Sequence, residues 1–378
     1  MSSGPLHGIK VVELAGIGPG PFAAMLLADL GAEVLRVDRP GGGLMFGRPE
    51  HDLLNRGRRS VAVDLKQPQG VETVLRLAAT ADVLVEGFRP GVAERLGLGP
   101  DDCLARNPRL VYGRMTGWGQ DGPRAHTAGH DIGYLSLSGA LHVVGRAGGP
   151  PQVPANLLGD FGAGGMYLVT GVLAALLETQ RSGAGQVVDA AIVDGAAHLS
   201  TMLLAMAAGG SWSDQRGTNL LDTGAPFYDV YETSDGEYVS LGALEPQFYA
   251  AFVERFGVDD LPDRDDPARW PELRAAIAAR FVQRTQQEWA DEYTDTDACV
   301  APVLTYAQAA DDPHLAKRAT YVERDGLTQP APAPRFSRTP AELDLGPARP
   351  GQHTTEALRD WGIDDVDSLL AGGAVVQA

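Results

Sequence analysis

Residues 10–38 read KVVELAGIGPGPFAAMLLADLGAEVLRVD, and this stretch decides the fold class. Lys10-Val11-Val12-Glu13-Leu14 has the pattern of a strand. Residues 21–30 form a helical pattern that Gly31 stops, and Glu33-Val34-Leu35-Arg36-Val37 is the next strand. The alternation continues with a helix over 70–79, the buried strand Asp82-Val83-Leu84-Val85, a short helix over 101–106 and the strand Arg109-Leu110-Val111-Tyr112. A βαβα order predicts a mostly parallel sheet covered by helices. Glycine-rich turns over 16–20 and 117–122 follow strands, where ligands sit in such sheets.

Beyond this region the pattern predicts a long apolar helix over 164–179, a strand over 185–193 and a helix over 195–208. Residues 209–224 are rich in Gly, Ser, Asp and Asn and read as a linker. A smaller unit follows, with strands over 228–231 and 237–244 and helices over 246–256, 271–283 and 286–293. Residues 324–352 carry many prolines and read as an extended segment before short helices over 355–362 and 366–371. The expected division is therefore 1–208, a linker over 209–224, a small α/β domain over 225–320, and 321–378.

Composition narrows the function. With 378 residues and 44% hydrophobic content, the chain can bury full-sized cores without staples. Its two cysteines, Cys103 and Cys299, form no CxxC pair, which argues against a disulfide framework or a zinc cluster. A net charge of −18 makes nucleic acid an unsuitable partner. Yet Arg36, Arg39, Arg48, Arg56, Arg58, Arg59, Lys66, Arg89 and Arg95 crowd the first hundred residues. That cluster suits either a small polyanion, such as a phosphate-bearing ligand, or an ordinary solvated surface. The start of the chain lacks the features of a signal peptide, and the longest apolar run, 166–177, falls short of the ~20 residues of a membrane span. A cytoplasmic protein without membrane insertion is expected.

Gly16-Ile17-Gly18-Pro19-Gly20 follows a strand and has Asp38 about twenty residues on, which imitates a dinucleotide fingerprint. The imitation fails because the last glycine position falls on Pro21, and Pro19 and Pro21 lack the amides that pyrophosphate needs. Two other motifs carry acid–base potential. Gly129-His130-Asp131-Ile132 presents a histidine, and Asn156-Leu157-Leu158-Gly159-Asp160-Phe161-Gly162 a carboxylate. Moving a proton from one face of a carbon to the other needs two such groups. Imidazole titrates near neutrality, and a buried carboxyl can be tuned toward the same range. Each residue also has a plainer reading. His130 could be a satisfied histidine near a turn, Asp160 the cap of a helix starting near Gly162, and Glu245 the cap of the helix that Pro246 opens.

Several longer stretches resemble the family III coenzyme A transferases and their racemase relatives. They are residues 6–15 (LHGIKVVELA), 26–40 (LLADLGAEVLRVDRP), 82–99 (DVLVEGFRPGVAERLGLG), 114–123 (RMTGWGQDGP) and 185–195 (GQVVDAAIVDG). Within that superfamily the GHDI and NLLGDFG pair is most similar to the α-methylacyl-CoA racemase branch, since transferases usually have no histidine at the position of His130. The resemblance implies a large doubly wound, Rossmann-like domain that binds coenzyme A, with 321–378 returning to it, and an interlocked homodimer.

The activity the resemblance implies is interconversion of (2R)- and (2S)-2-methylacyl-CoA thioesters by 1,1-proton transfer through an enolate. His130 would take the proton of the (2S) isomer and Asp160 that of the (2R) isomer, with Glu245 orienting the histidine. In transferases the residue matching Asp160 is a nucleophile, so a coenzyme A transferase is the alternative. Coenzyme A enters within the substrate, and neither a cofactor nor a metal is expected. Its phosphates would meet Arg39, Arg89 and Arg95 beside Gly87 and Phe88, and its adenine Val63, Asp64, Leu65 and Lys66. Pantetheine and thioester would run along Gly129, His130, Asp131, Ile132, Gly133 and Tyr134. Amides of residues 160–162 are the expected donors to the enolate oxygen. The sequence departs from the family over 41–51, where length varies, and at Gly133, where a bulkier polar residue is usual.

Overall fold

The computed structural model describes residues 4–42, 47–258 and 260–378, so residues 43–46 of the variable 41–51 segment lie outside the described residues. The first part of the chain runs β1 (Lys10–Leu14), α1 (Pro19–Asp29), β2 (Glu33–Asp38), β3 (Arg58–Val63), α2 (Pro68–Thr80), β4 (Val83–Glu86), α3 (Val92–Arg95), α4 (Pro100–Arg106), β5 (Val111–Thr116) and α5 (Asp131–Ser138). After a π-helical turn at Leu157–Gly165 come α6 (Met166–Ser182), β6 (Gln186–Ala191) and α7 (Ile192–Leu199). Strands β1 to β6 are all parallel, in the order β3-β2-β1-β4-β5-β6. The short strand Val375–Val376 closes the β3 edge in the antiparallel sense.

Strand alternation gives this sheet two very different faces. Val12, Leu14, Leu35, Val37, Val61 and Val63 point to one side, where Val74 and Leu77 of α2 and Leu358, Trp361 and Val366 of the carboxy-terminal helices cover them. Each such side chain contributes roughly 1.5–3 kcal/mol on burial. The opposite side holds buried charge. Arg58 pairs with Glu13 at 2.5 Å, Arg36 with Asp38 at 2.7 Å, and Arg56 with Asp29 at 2.6 Å. Much of the amino-terminal arginine cluster is therefore internal scaffolding rather than a surface for a polyanion.

The chain forms two compact units. The first comprises residues up to Ser138, Ala155–Leu199 and Lys317–Ala378. The second comprises Gly139–Pro154 and Ser200–Ala316. It contains α8 (Thr201–Ala208), β7 (Tyr228–Glu232), β8 (Tyr238–Gly242), α9 (Pro246–Phe256), α10 (Trp270–Phe281), α11 (Gln286–Tyr293) and β9 (Val300–Pro302). The antiparallel sheet β7-β8-β9 and the three helices between β8 and β9 enclose an aromatic core of Phe252, Phe256, Phe281, Trp289 and Tyr293.

These boundaries correct the expected ones. Residues 139–154 join the second unit because the Arg216 guanidinium donates to the carbonyls of His142 (2.7 Å) and Gly149 (2.5 Å), and Arg146 pairs with Asp229 at 2.6 Å. The helix expected over 195–208 is broken at Ser200 into α7 and α8, one in each unit. The expected linker is a folded turn. The buried Asp222 carboxylate accepts from the amides of Gly217 (2.9 Å) and Asn219 (2.7 Å) and from the Asn219 side chain (2.7 Å). Part of the extended segment forms a hairpin, Tyr321–Arg324 with Leu327–Pro330.

The π-helical turn also lengthens α6, so that Leu157–Ser182 is long and apolar enough, by length and composition, to cross a membrane. The expectation that no segment reaches that size is corrected on this point.

Candidate active site

The strand order reverses between β1 and β4, and ligands of doubly wound sheets bind outside the carboxyl ends of the strands at such a point. A cavity of about 1170 Å³ opens there, within the first unit. Its walls include Gly16 to Phe22 after β1, Gly87, Phe88 and Arg89 after β4, and Thr116, Gly117 and Trp118 after β5. Gly129 and His130 just before α5 and Tyr134 on it close one side, and Asn156 with Leu157, Asp160 and Phe161 of the π-helical turn another.

His130 immediately precedes α5, and its carbonyl accepts from the amides of Gly133 (2.8 Å) and Tyr134 (3.3 Å). That fixes the backbone while the imidazole stays exposed at the cavity wall. Among the described residues nothing hydrogen-bonds this ring, so the plainer reading of a satisfied histidine does not hold. Asp160 lies inside the π-helical turn, whose N-cap position is Asn156, so it is not the helix cap that the sequence allowed. Such turns recur at functional sites. Burial pushes the Asp160 carboxyl above the usual carboxylate range, and the neighbouring Asp131 adds to the rise. A hydrogen bond from the Asn156 side chain and the charge of His130 pull the other way.

Asp131 is not a pantetheine-side contact through its side chain. Its carboxylate is buried, and Oδ1 accepts the Asp160 amide at 2.6 Å. Two of the three expected enolate-oxygen donors are engaged elsewhere. The Asp160 amide is committed to Asp131, and the Phe161 amide donates to the Asn156 carbonyl at 3.2 Å. Gly159 is required here, because a Cβ on it would stand 2.2 Å from Asp131 Oδ1. Asn156, Gly18 and the buried carboxylate of Asp131 are the site features that sequence reasoning missed. Only the glycines gave a readable signal.

Of the other expected contacts, Gly87, Phe88, Arg89, Gly129 and Tyr134 line the cavity. Arg39, Val63, Asp64, Leu65, Lys66, Arg95, Ile132 and Gly133 do not. Val63 points into the core, and Asp64 is held in its own turn by the amide of Lys66 and the side chain of Gln67. Arg39, Lys66, Arg89 and Arg95 follow β2, β3 or β4, are exposed, and have no ion-pair partner among the described residues. Arg39, Lys66 and Arg89 follow the carboxyl ends of their strands within three residues, and Arg95 ends α3. Asp38, by contrast, accepts from Arg36 and Ser60 through Oδ2, at 2.7 and 2.6 Å, which ties this carboxylate to the sheet. Glu245 occupies the N-cap position of α9 in the second unit, exposed and without a side-chain capping bond.

Apolar side chains dominate the remaining wall. Phe22, Met25 and Leu26 recur at helical spacing on α1, Phe22 stacks on Phe161 at 4.7 Å, and Leu53, Leu54 and Met166 extend the surface. The loop after β4 is shaped by Glu86, which accepts from the Phe88 amide (2.6 Å) and from Arg114 (2.8 Å).

The sequence model of CoA-transferase family III matches residues 6–354. An alpha-methylacyl-CoA racemase of Mus musculus is 47% identical over 369 residues, covering 96% of this chain and 95% of that protein. One of Homo sapiens is 45% identical over 364 residues, covering 94% and 93%. The crystal structure of a CAIB/BAIF family protein from Brucella suis superposes with a TM-score of 0.82 at 27% identity, covering 95% of this chain and 100% of that one. The chain belongs to CoA-transferase family III.

Proposed function

We propose that the protein is a racemase of 2-methyl-branched acyl-CoA thioesters, acting by 1,1-proton transfer between His130 and Asp160. The observation that carries this reading is that an exposed imidazole and a carboxyl raised above its usual range line one largely apolar cavity. The α-hydrogen of a thioester is removable when the developing enolate oxygen is stabilised. The amides of Asp131 and Ile132 precede the first intrahelical donors of α5 and are the donors suited to that oxygen. His130 takes the proton of the (2S) isomer and Asp160 returns one to the other face. The reverse reaction uses the same two groups in the opposite order. The uncommitted cations Arg39, Lys66, Arg89 and Arg95 suit the phosphates of coenzyme A. The apolar wall of Phe22, Met25, Leu53, Leu54, Phe161 and Met166 excludes water from the enolate.

The proposal extends to a homodimer, and to Glu245 as the carboxylate that orients His130. Light scattering tests the first. Glu245→Gln, expected to lower the exchange rate without changing the products, tests the second.

The decisive experiment follows deuterium content and chirality when (2R)- and (2S)-2-methylacyl-CoA are incubated separately in deuterated water. Deuterium at C2 with convergence on a racemic mixture supports the proposal. Absence of exchange, with coenzyme A moved to an added carboxylic acid and an Asp160 adduct trapped by hydroxylamine, replaces it with a transferase.

A further inference from the structure

We propose that Arg264 is a positioning residue for this chemistry: its guanidinium clamps the turn between β8 and α9 and so fixes the direction in which Glu245 presents its carboxylate. The proposal rests on the reading of Glu245 as the carboxylate that orients His130, and it adds a residue that does not line the cavity.

β8 ends at Gly242 and α9 starts at Pro246, so Ala243, Leu244 and Glu245 form the turn. Arg264 donates from Nη1 to the Ala243 carbonyl (3.2 Å) and from Nη2 to the Leu244 carbonyl (2.6 Å). The planar fork of arginine holds two donors in a fixed geometry that suits such a pair. Its guanidinium carbon also lies 4.0 Å from the ring centroid of Phe227 and 4.5 Å from that of Tyr249. Tyr249 stands at the end of the first turn of α9, and its amide donates to the Glu245 carbonyl at 3.0 Å. One side chain thus grips the main chain before Glu245 and the helical turn after it. The clamp is itself anchored, since the Arg264 carbonyl accepts from Trp270 Nε1 of α10 at 2.8 Å.

The turn displays the Glu245 carboxylate rather than using it. Glu245 holds the N-cap position, yet its side chain makes no capping bond, and Pro246 has no amide to offer it. The Phe248 amide, which a capping side chain would take, donates to the Glu245 carbonyl at 3.1 Å. A long acidic side chain has many rotamers, so its main chain must be fixed if it is to meet one target. The buried Ala243 carbonyl needs a donor in any case, but a hydroxyl or an amide would supply one. The fork reaches past it to the carbonyl next to Glu245. Nor is the guanidinium there to pair a buried carboxylate, because its acidic neighbour Asp265 is exposed and 3.6 Å from Nε.

The test is the titration of the His130 imidazole, followed by proton NMR in the full-length protein, with the signal identified by its loss in His130→Ala. Glu245→Gln should move the midpoint to lower pH, because a carboxylate favours the imidazolium. Arg264→Met keeps an apolar stem and removes the fork. It should move the midpoint the same way by a smaller amount and lower kcat roughly fivefold to tenfold with KM little changed. In the combined variant it should add nothing to either effect of Glu245→Gln. Arg264→Lys, a point charge without the fork, should fall between the wild type and Arg264→Met.

A merely structural role would lower activity without moving the His130 midpoint, and its cost would add to that of Glu245→Gln. An unmoved midpoint in folded Arg264→Met, or additive effects, overturns the proposal. If that variant does not fold, an unmoved midpoint in Arg264→Lys does so. An unmoved midpoint in Glu245→Gln removes the reading of Glu245 and the proposal with it. The titration needs no substrate, so the racemase reading stands or falls separately on deuterium exchange at C2.

Discussion

A Cβ on Gly18 would stand 3.2 Å from Oδ2 of Asp160, so the turn after β1 approaches the carboxyl closely enough to fix where it can lie. Gly18 also has a φ of 69°, in the left-handed region. Gly18→Ala should therefore lower stability by roughly 1–2 kcal/mol from backbone strain. It should also displace the Asp160 carboxyl and slow exchange at C2. Urea unfolding and deuterium uptake separate the two effects. Wild-type exchange in a destabilised variant would mean that Asp160 does not depend on this contact.

Removing one base at a time should split the reaction by isomer. His130→Ala should retain exchange of the (2R) thioester without inversion, and Asp160→Asn exchange of the (2S) thioester. Racemisation should fall by about 10²–10⁴ in both, the usual contribution of a positioned acid or base. Chiral analysis of deuterated product is the measurement. Exchange of both isomers by either variant would place the second base elsewhere.

The raised carboxyl of Asp160 has consequences for pH. In the proposed mechanism Asp160 must lose a proton to act as a base, and at low pH it is protonated. The acid limb of kcat/KM should therefore lie above the ordinary aspartate value near 3.9. Stability follows the same shift. Between that ordinary value and the raised one the folded state binds more protons than the unfolded state. Stability therefore falls as pH rises through that window, and the loss persists above it. Asp160→Asn removes the titration. It should be the more stable protein at pH 8, by a modest amount because solvent screens a half-buried side chain. The advantage should shrink as the pH is lowered toward about 4. An advantage independent of pH would assign the gain to something other than this carboxyl.

The sequence made the parallel sheet and the two proposed bases legible for different reasons. The strands β1, β2, β4 and β5 announce themselves by apolar runs, whereas β3 starts with Arg58 and Arg59 and looks like surface. Its arginines are paired within the fold, Arg58 with Glu13 and Arg59 with Glu33 and Asp360, which no local pattern reveals. His130 and Asp160 stood out by their glycine neighbours and by resemblance. The π-helical turn around Asp160 looks in sequence like an ordinary helix start, because its geometry is set by packing against α1 and α7. Asp131 read as a ligand contact because its partner is a main-chain amide, which has no sequence signature. The break at Ser200 is marked locally only by Ser200-Thr201, weak helix formers suited to a helix N-terminus, between two apolar helical runs.

The buried pair under the sheet offers a test of how the cavity floor is held. Arg58 donates to Glu13 at 2.5 Å, with both side chains almost fully enclosed. Burial pushes the Arg58 guanidinium below its usual value, and Glu13 opposes that shift. Among the described residues Glu13 Oε1 and the Nε and Nη2 atoms of Arg58 have no hydrogen-bond partner, and Glu13 also lines the cavity. Glu13→Gln removes the compensating charge while keeping the shape. It should cost about 3–5 kcal/mol, because an unpaired cation then remains in the interior. The double variant Glu13→Gln with Arg58→Met removes both charges and should recover most of that loss, since two buried ions cost much of what their attraction returns. Urea unfolding of the single and double variants closes the cycle. A single variant costing less than about 1 kcal/mol would mean that water from the cavity reaches the guanidinium, and the floor would then be solvated rather than sealed by the pair.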